Sequence, residues 1–272
     1  MRIAFIGGGN MSSALIGGLL ARGVAADDLS VADPSVAQLE RLRREFGLTT
    51  TADNVEAVRG SDLVVLAVKP QDMARAAGSL AAELAARRRV VVSVAAGIRL
   101  ESLAEWLGGA SPLVRAMPNR PALIGAGVTA AYSSPGVTPG ERTAVEAVLS
   151  AVGPLVWLEM EEQLDAVTAL SGSGPAYFFL LVEALEDAGA ALGLPRATAR
   201  LLAVHTALGA GRMAAESTDP PAVLREQVTS KGGTTAAALA VLEAADFRGL
   251  VERAVAAAAH RSAELAREFG RG

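Results

Sequence analysis

Met1-Arg-Ile-Ala-Phe-Ile6 runs into Gly7-Gly-Gly-Asn-Met-Ser-Ser13 and then into Ala14-Leu-Ile-Gly-Gly-Leu-Leu20. An apolar run of strand length meets glycines, and an apolar helical pattern follows. This is the order of a dinucleotide-binding βα turn. Gly7 suits the tight turn and Gly9 a close approach of backbone to a pyrophosphate. The helix that starts there aims its unpaired N–H groups and positive dipole end at the phosphates. Ser12 holds the third place of G-x-G-x-x-G. It is small enough for close helix–strand packing, and Gly17 and Gly18 slim the same helix further. A glycine turn without a ligand has the same local pattern; the place of this one at the head of an alternating β/α chain favours the nucleotide.

The chain has 272 residues, 51% of them hydrophobic, which is room for two modest domains. It contains no cysteine, so disulfides, thiolate metal sites and a cysteine nucleophile are excluded. His205 and His260 each stand alone in an alanine-rich helical pattern, with no carboxylates gathered round them, and no metal is expected. A net charge of −4 leaves no electrostatic footprint for nucleic acid or an anionic membrane. The N-terminal apolar run is short and does not read as a signal peptide. The charge-free run Ala166 to Val182 is broken by Ser171-Gly-Ser-Gly-Pro175 and is too short for a membrane span. The expectation is a soluble cytoplasmic protein.

Further along, Leu29-Ser-Val-Ala-Asp33 reads as a second strand and Pro34 to Phe46 as a helix, with Val36, Leu39, Leu42 and Phe46 on one face. Asp33, at the strand tip, has two readings. It holds the ribose 2′-hydroxyl of NAD, or it is the N-cap of the helix with Pro34 in the first turn. Asp62-Leu-Val-Val-Leu-Ala-Val68 is the near-continuous apolar run of a parallel strand covered on both faces, and it ends at Lys69-Pro70-Gln71. Arg89-Val-Val-Val-Ser-Val94 repeats the pattern and ends in Ala95-Ala96-Gly97, small residues that let backbone approach a ligand. Pro112 to Met117, Gly127 to Tyr132 and Leu155 to Leu158 read as further strands, with helical patterns between most of them. Residues 1–159 are therefore expected to form a Rossmann-type, doubly wound, mostly parallel α/β sheet.

Residues 160–272 read as helices alone: Glu161 to Leu170, Tyr177 to Leu192, Arg196 to Ala215, Pro221 to Val228, Thr234 to Ala245 and Arg248 to Phe269. Their alanine-rich, apolar surfaces suit packing against a second copy, which makes this half an all-helical dimerisation domain. Within it, Leu224-Arg-Glu-Gln-Val-Thr-Ser-Lys-Gly-Gly-Thr-Thr235 places hydroxyls and glycines ahead of a new helix. Such a turn either holds a small carboxylate at the helix N-terminus or is simple capping by Ser and Thr.

Six stretches taken together resemble the pyrroline-5-carboxylate reductase family. They are Gly7-Gly-Gly-Asn-Met11, Ala67-Val-Lys-Pro70, Ser93-Val-Ala-Ala-Gly97, Met117-Pro-Asn-Arg-Pro-Ala122, Ala169-Leu-Ser-Gly-Ser-Gly-Pro-Ala-Tyr177 and Val228-Thr-Ser-Lys-Gly-Gly-Thr-Thr235. The resemblance runs from end to end and implies reduction of 1-pyrroline-5-carboxylate to L-proline, the last step of proline biosynthesis, by hydride from NAD(P)H. It implies that Ser230, Gly232, Gly233, Thr234 and Thr235 bind the substrate carboxylate and that Thr168 hydrogen-bonds the ring nitrogen. On the cofactor side it implies Gly7, Gly9, Asn10 and Met11 along the pyrophosphate, Asn54 near the adenosine, and Ala67, Val68, Lys69, Pro70, Ala95 and Asn119 toward the nicotinamide. It also implies an interlocked dimer that completes the active site from both chains. The family leans to NADPH, which the cap reading of Asp33 allows with Ser35 accepting the 2′-phosphate; NADH stays open. Lys231 stands where the family often has proline and reads as a solvated loop lysine.

An iminium carbon already accepts hydride, so alignment and a carboxylate grip are the main requirements. A hydroxyacid or sugar-acid dehydrogenase is the competing enzyme, but its alkoxide product wants a proton donor. Gly174-Pro175 is followed by Ala-Tyr-Phe-Phe-Leu-Leu, without a lysine. A non-catalytic NAD(P)-binding regulator is the alternative of another class.

Overall fold

The computed structural model describes residues 1–109 and 111–270. Strands β1 (Ile3–Ile6), β2 (Leu29–Ala32), β3 (Thr49–Thr51), β4 (Leu63–Leu66), β5 (Val90–Ser93), β6 (Leu113–Pro118), β7 (Thr129–Ser133) and β8 (Leu155–Trp157) form one sheet in the order β3-β2-β1-β4-β5-β6-β7-β8. All neighbours are parallel except β6 and β7. That exception follows from the connection: β6 and β7 are joined by the short stretch after Pro118, whereas parallel neighbours need a crossover.

The apolar runs fold as strands because both sheet faces are covered. Ile3 and Phe5 of β1 and Leu63 and Val65 of β4 point into one core layer, under α1 (Asn10–Ala21), α2 (Val36–Phe46) and α6 (Pro139–Leu149). Ala4, Ile6, Val64 and Leu66 alternate into the other, under α3 (Asn54–Val58), α4 (Met73–Ala86) and α5 (Leu100–Trp106). Burying a side chain such as Phe5 is worth ~1.5–3 kcal/mol. Since β1 pairs with β2 on one side and β4 on the other, the chain reverses its winding at β1, and open α/β sheets bind ligands outside the strand ends at such a point.

After β8 come α7 (Gln163–Val167), one π-helical turn over Thr168–Gly172, α8 (Gly174–Ala191), α9 (Arg196–Glu216), α10 (Pro221–Gln227), α11 (Thr234–Ala244) and α12 (Phe247–Phe269). The single helix expected over Glu161 to Leu170 is thus a short α-helix followed by a π turn. By contacts the chain divides into Met1–Gly172 with the C-terminal residues from Ala258, and Ser173–Ala257. This differs from the division at 159/160 read from the sequence. Asp165 of α7 bonds to Arg99 and to Ser262 of α12, which ties α7 and the end of α12 to the first unit.

In Ser173–Ala257 the buried described residues are Gly174, Ala199 and Ala203. The large apolar side chains of α8 and α9 are open instead, with Phe178, Phe179 and Leu208 about two-thirds exposed (66%, 67% and 63%). Among the described residues no helix is long and apolar enough to cross a membrane, and no group of three His, Cys, Asp or Glu is placed to hold a metal ion.

Candidate active site

Gly7 leaves β1 with φ +95°, and a Cβ there would lie 2.7 Å from the Ala67 carbonyl oxygen. No other residue fits both the angle and the space. Gly8 is held between two distant side chains: its N–H donates to Asp33 Oδ2 at 2.8 Å and its carbonyl accepts from Gln38 Nε2. Gly9 is the N-cap of α1 and has open space around its Cα, with no side-chain cap on the helix. Ser12 is fully buried, and its hydroxyl donates to the Gly7 carbonyl at 2.5 Å. The residue in the third glycine's place therefore closes the turn with a hydrogen bond.

The α1 N-terminus opens onto a cleft of about 570 Å³ at the strand ends. Gly7, Gly9, Asp33, Asn54, Ala67, Val68 and Lys69 line it, all of them expected from the sequence. Arg75 and Ser79 of α4 line it as well and were not foreseen; Ser79 accepts a hydrogen bond from Asn54 Nδ2 at 3.1 Å. Volume, open glycine and uncapped helix start together fit the phosphates of a dinucleotide.

Asn10, Met11, Pro70, Ala95 and Asn119 are not among the residues that line this cleft. Asn10 and Met11 begin α1, and Pro70 opens a 3₁₀ turn after Lys69. Asp33 is not the helix N-cap: Ser35 is, its Oγ accepting from Gln38 N–H, and α2 starts at Val36 rather than Pro34. Both carboxylate oxygens of Asp33 accept backbone N–H groups, one from Gly8 and one from Ser35 at 2.8 Å. Ala95 is buried, and the positive-φ Gly97 beyond it sits against Leu265 and Phe269 of α12. The small size of Gly97 serves helix packing rather than a ligand. Asn119 is buried, its Oδ1 accepting from Val128 N–H at 2.9 Å and its Nδ2 donating to the Ser171 carbonyl at 3.3 Å. It fastens the π turn to the end of β6.

Thr168 starts that π turn, half-buried, and its hydroxyl donates to the Leu164 carbonyl at 2.7 Å. In the other unit, Gly232 has φ +72° and Gly233 is the N-cap of α11. No side chain caps this helix. Capping by Ser230, Thr234 or Thr235, the simpler reading of the stretch, is therefore overturned, and the first-turn N–H groups are left for another partner. Ser230 and Lys231 are exposed and Thr235 half-buried.

Residues 161–265 match the family model described as pyrroline-5-carboxylate reductase dimerisation, and residues 2–97 match one described as NADP oxidoreductase, coenzyme F420-dependent. The pyrroline-5-carboxylate reductase of Pseudomonas aeruginosa is 49% identical over 269 residues, covering 99% of this chain and 98% of that protein. The chain belongs to the pyrroline-5-carboxylate reductase family. Solved members superpose closely. That of Coxiella burnetii has a TM-score of 0.94 at 41% identity over 97% of this chain and 98% of its own. The Plasmodium falciparum enzyme, with NADP bound, scores 0.85 at 30% identity over 98% of both. Membership gives this reductase a nicotinamide cofactor and a half built for self-association. Gln38 and Arg75 escaped the sequence reading because each lies on an ordinary amphipathic helix, and only the fold brings them to the turn and the cleft.

Proposed function

We propose that Ser230, Gly232, Gly233, Thr234 and Thr235 hold the substrate carboxylate in the reduction of 1-pyrroline-5-carboxylate to L-proline that this reductase carries out with a nicotinamide cofactor. The observation that carries this reading is the α11 N-terminus, a helix start left uncapped in a turn rich in hydroxyls and glycine. The helix dipole contributes up to ~2 kcal/mol to a bound carboxylate and each charge-assisted hydrogen bond ~1.5–3 kcal/mol.

Thr168 serves the ring nitrogen as an acceptor. Its proton is committed to the Leu164 carbonyl, so the hydroxyl offers lone pairs, which match the N–H of a protonated imine. That preference selects the more electrophilic form of the substrate. Gly7, Gly9, Asn10 and Met11 carry the pyrophosphate, Asn54 the adenosine, and Ala67, Val68, Lys69, Pro70, Ala95 and Asn119 shape the nicotinamide end. When bound, the reduced nicotinamide supplies the hydride. Oxidation of NAD(P)H with pyrroline-5-carboxylate, and none with glyoxylate, is the expected result; binding without turnover on either compound overturns the enzyme reading.

Asp33 decides between the two dinucleotides. The expectation of NADPH came from the family resemblance, and the cap reading of Asp33 that allowed it gives way to Ser35 as the N-cap, while Asp33 lines the cleft. A 2′-phosphate about 4 Å away meets about 4 kcal/mol of repulsion per charge pair at an effective dielectric of 20. Asp33→Ser is expected to raise the ratio of kcat/KM for NADPH over NADH at least about tenfold, since 1.4 kcal/mol of relief suffices for that. An unchanged ratio removes Asp33 from the ribose.

Self-association proceeds through the helices of Ser173–Ala257. A unit with three buried residues and so many open phenylalanines and leucines lacks a core of its own, and a second copy covers that surface. In sedimentation at micromolar concentration the expected mass is at least twice the 27.7 kDa chain; a monomer counts against it.

A further inference from the structure

The π turn that starts at Thr168 is preceded by two carboxylates, Glu161 in the turn just ahead of α7 and Asp165 within that helix. Each is tied into the sheet domain. Glu161 Oε1 accepts from Arg115 Nη1 of β6 at 2.9 Å and from the Leu100 N–H at 2.9 Å, the first residue of α5. The Arg115 side chain is 3% exposed and that of Glu161 14%. Asp165 Oδ2 pairs with Arg99 at 3.2 Å, and its Oδ1 accepts from the buried Ser262 hydroxyl of α12 at 2.8 Å. At the far end of the turn, Ser171 is held by Asn119. Gly172 lies against Met117: the methionine Cε stands 2.6 Å from where a Cβ would be.

Stability alone does not account for such an arrangement. Desolvating two charges offsets most of their attraction, and well-packed apolar residues of like volume are often as stable or more so. What charged pairs add is direction: a carboxylate held from two sides fixes the helix that carries it in rotation as well as in place. We propose that Asp165, with Arg99 and Ser262, and Glu161, with Arg115, are positioning residues that set the Thr168 hydroxyl for the substrate. The inference rests on the reading of Thr168 as the acceptor for the ring N–H. Misplacement of a contact group by about 1 Å is enough for a hundredfold loss.

A double-mutant cycle on the full-length enzyme tests it. Thr168→Val alone is expected to lower kcat/KM for pyrroline-5-carboxylate about a hundredfold, and Asp165→Asn alone about tenfold or more, with the KM for the dinucleotide within about twofold of wild type. In the Thr168→Val background, Asp165→Asn then adds less than about a twofold loss, because the group it positions is already gone. A full, multiplicative loss in that background overturns the positioning role and makes Asp165 merely structural. Wild-type kcat/KM in Thr168→Val overturns the role of Thr168 itself, and the clamp with it. Should Asp165→Asn not fold, Ser262→Ala, which keeps both ion pairs, reads the same cycle. Its expected loss is about threefold in the wild-type background and vanishes beside Thr168→Val; equal losses in both backgrounds overturn the proposal.

Discussion

Gly7→Ala is expected to destabilise the fold by about 3 kcal/mol and to abolish dinucleotide binding, whereas Gly9→Ala, two residues away, folds as well as wild type and loses affinity alone. The difference lies in the two backbones. Gly7 has φ +95°, where an L-residue is strained by ~1–3 kcal/mol. Its Cβ would also press on the Ala67 carbonyl at 2.7 Å and on Val68 Cγ1 at 3.0 Å, so the end of β4 must shift. Because Ala67 and Val68 line the cleft, that shift damages the binding surface as well. Gly9 has φ −69° and nothing within 4 Å of an added Cβ, so alanine is tolerated and stability stays within ~0.5 kcal/mol. The methyl group enters the space at the α1 N-terminus, where the pyrophosphate is expected, and should raise the dissociation constant at least about tenfold, or ~1.4 kcal/mol. Urea unfolding beside fluorescence titration with NADPH separates the two effects. Wild-type affinity in Gly9→Ala would move the phosphates away from this turn.

The same turn shows how far a sequence can be read. Met1 to Leu20 announces strand, turn and helix through local pattern alone, and Asp62 to Val68 and Arg89 to Val94 do so because a strand covered on both faces needs an unbroken apolar run. β3 was invisible for the converse reason: Thr49-Thr-Thr51 is an edge strand of three residues, partly exposed, with no apolar run to mark it. The antiparallel direction of β7 is not encoded locally either, since its apolar residues look the same in either direction. Asp33 was legible as important and ambiguous in role. The sequence allowed it to be a ribose ligand or a helix cap; the cap is Ser35, and the Asp33 carboxylate accepts the N–H of Ser35 and that of Gly8, 25 positions away, which no local pattern announces. Arg115 sat unnoticed inside a strand pattern, because its partner Glu161 is 46 positions on and nothing local links them. The carboxylate turn lay between these cases. Its Ser, Gly and Thr were visible, but excluding a side-chain cap on α11 required the backbone.

That missing cap leads to the second large effect. Ser230→Asp is expected to raise the KM for pyrroline-5-carboxylate about thirtyfold or more while leaving the fold as stable as wild type or slightly more so. The Ser230 carbonyl accepts the N–H of Gly233, the α11 N-cap, and its Oγ lies beside the Gly233 Cα, so an aspartate there brings its charge to the start of α11. A negative charge in the first turn of a helix is favourable by ~0.3–1 kcal/mol, which sets the sign of the stability change. The same charge meets a bound substrate carboxylate. At about 4 Å the repulsion is ~4 kcal/mol at an effective dielectric of 20, and solvent and salt at this exposed position reduce it to about half, or roughly thirtyfold in affinity. Added salt should therefore recover part of the loss. Lys231→Ala supplies the control: Lys231 is exposed on the same loop, and its removal should leave the KM within about twofold, since a solvated charge contributes little. Stability up and binding down in one variant distinguishes a carboxylate site from a turn that only ends one helix and begins the next. A merely structural turn predicts the first change without the second, and an unchanged KM in Ser230→Asp would place the substrate carboxylate elsewhere.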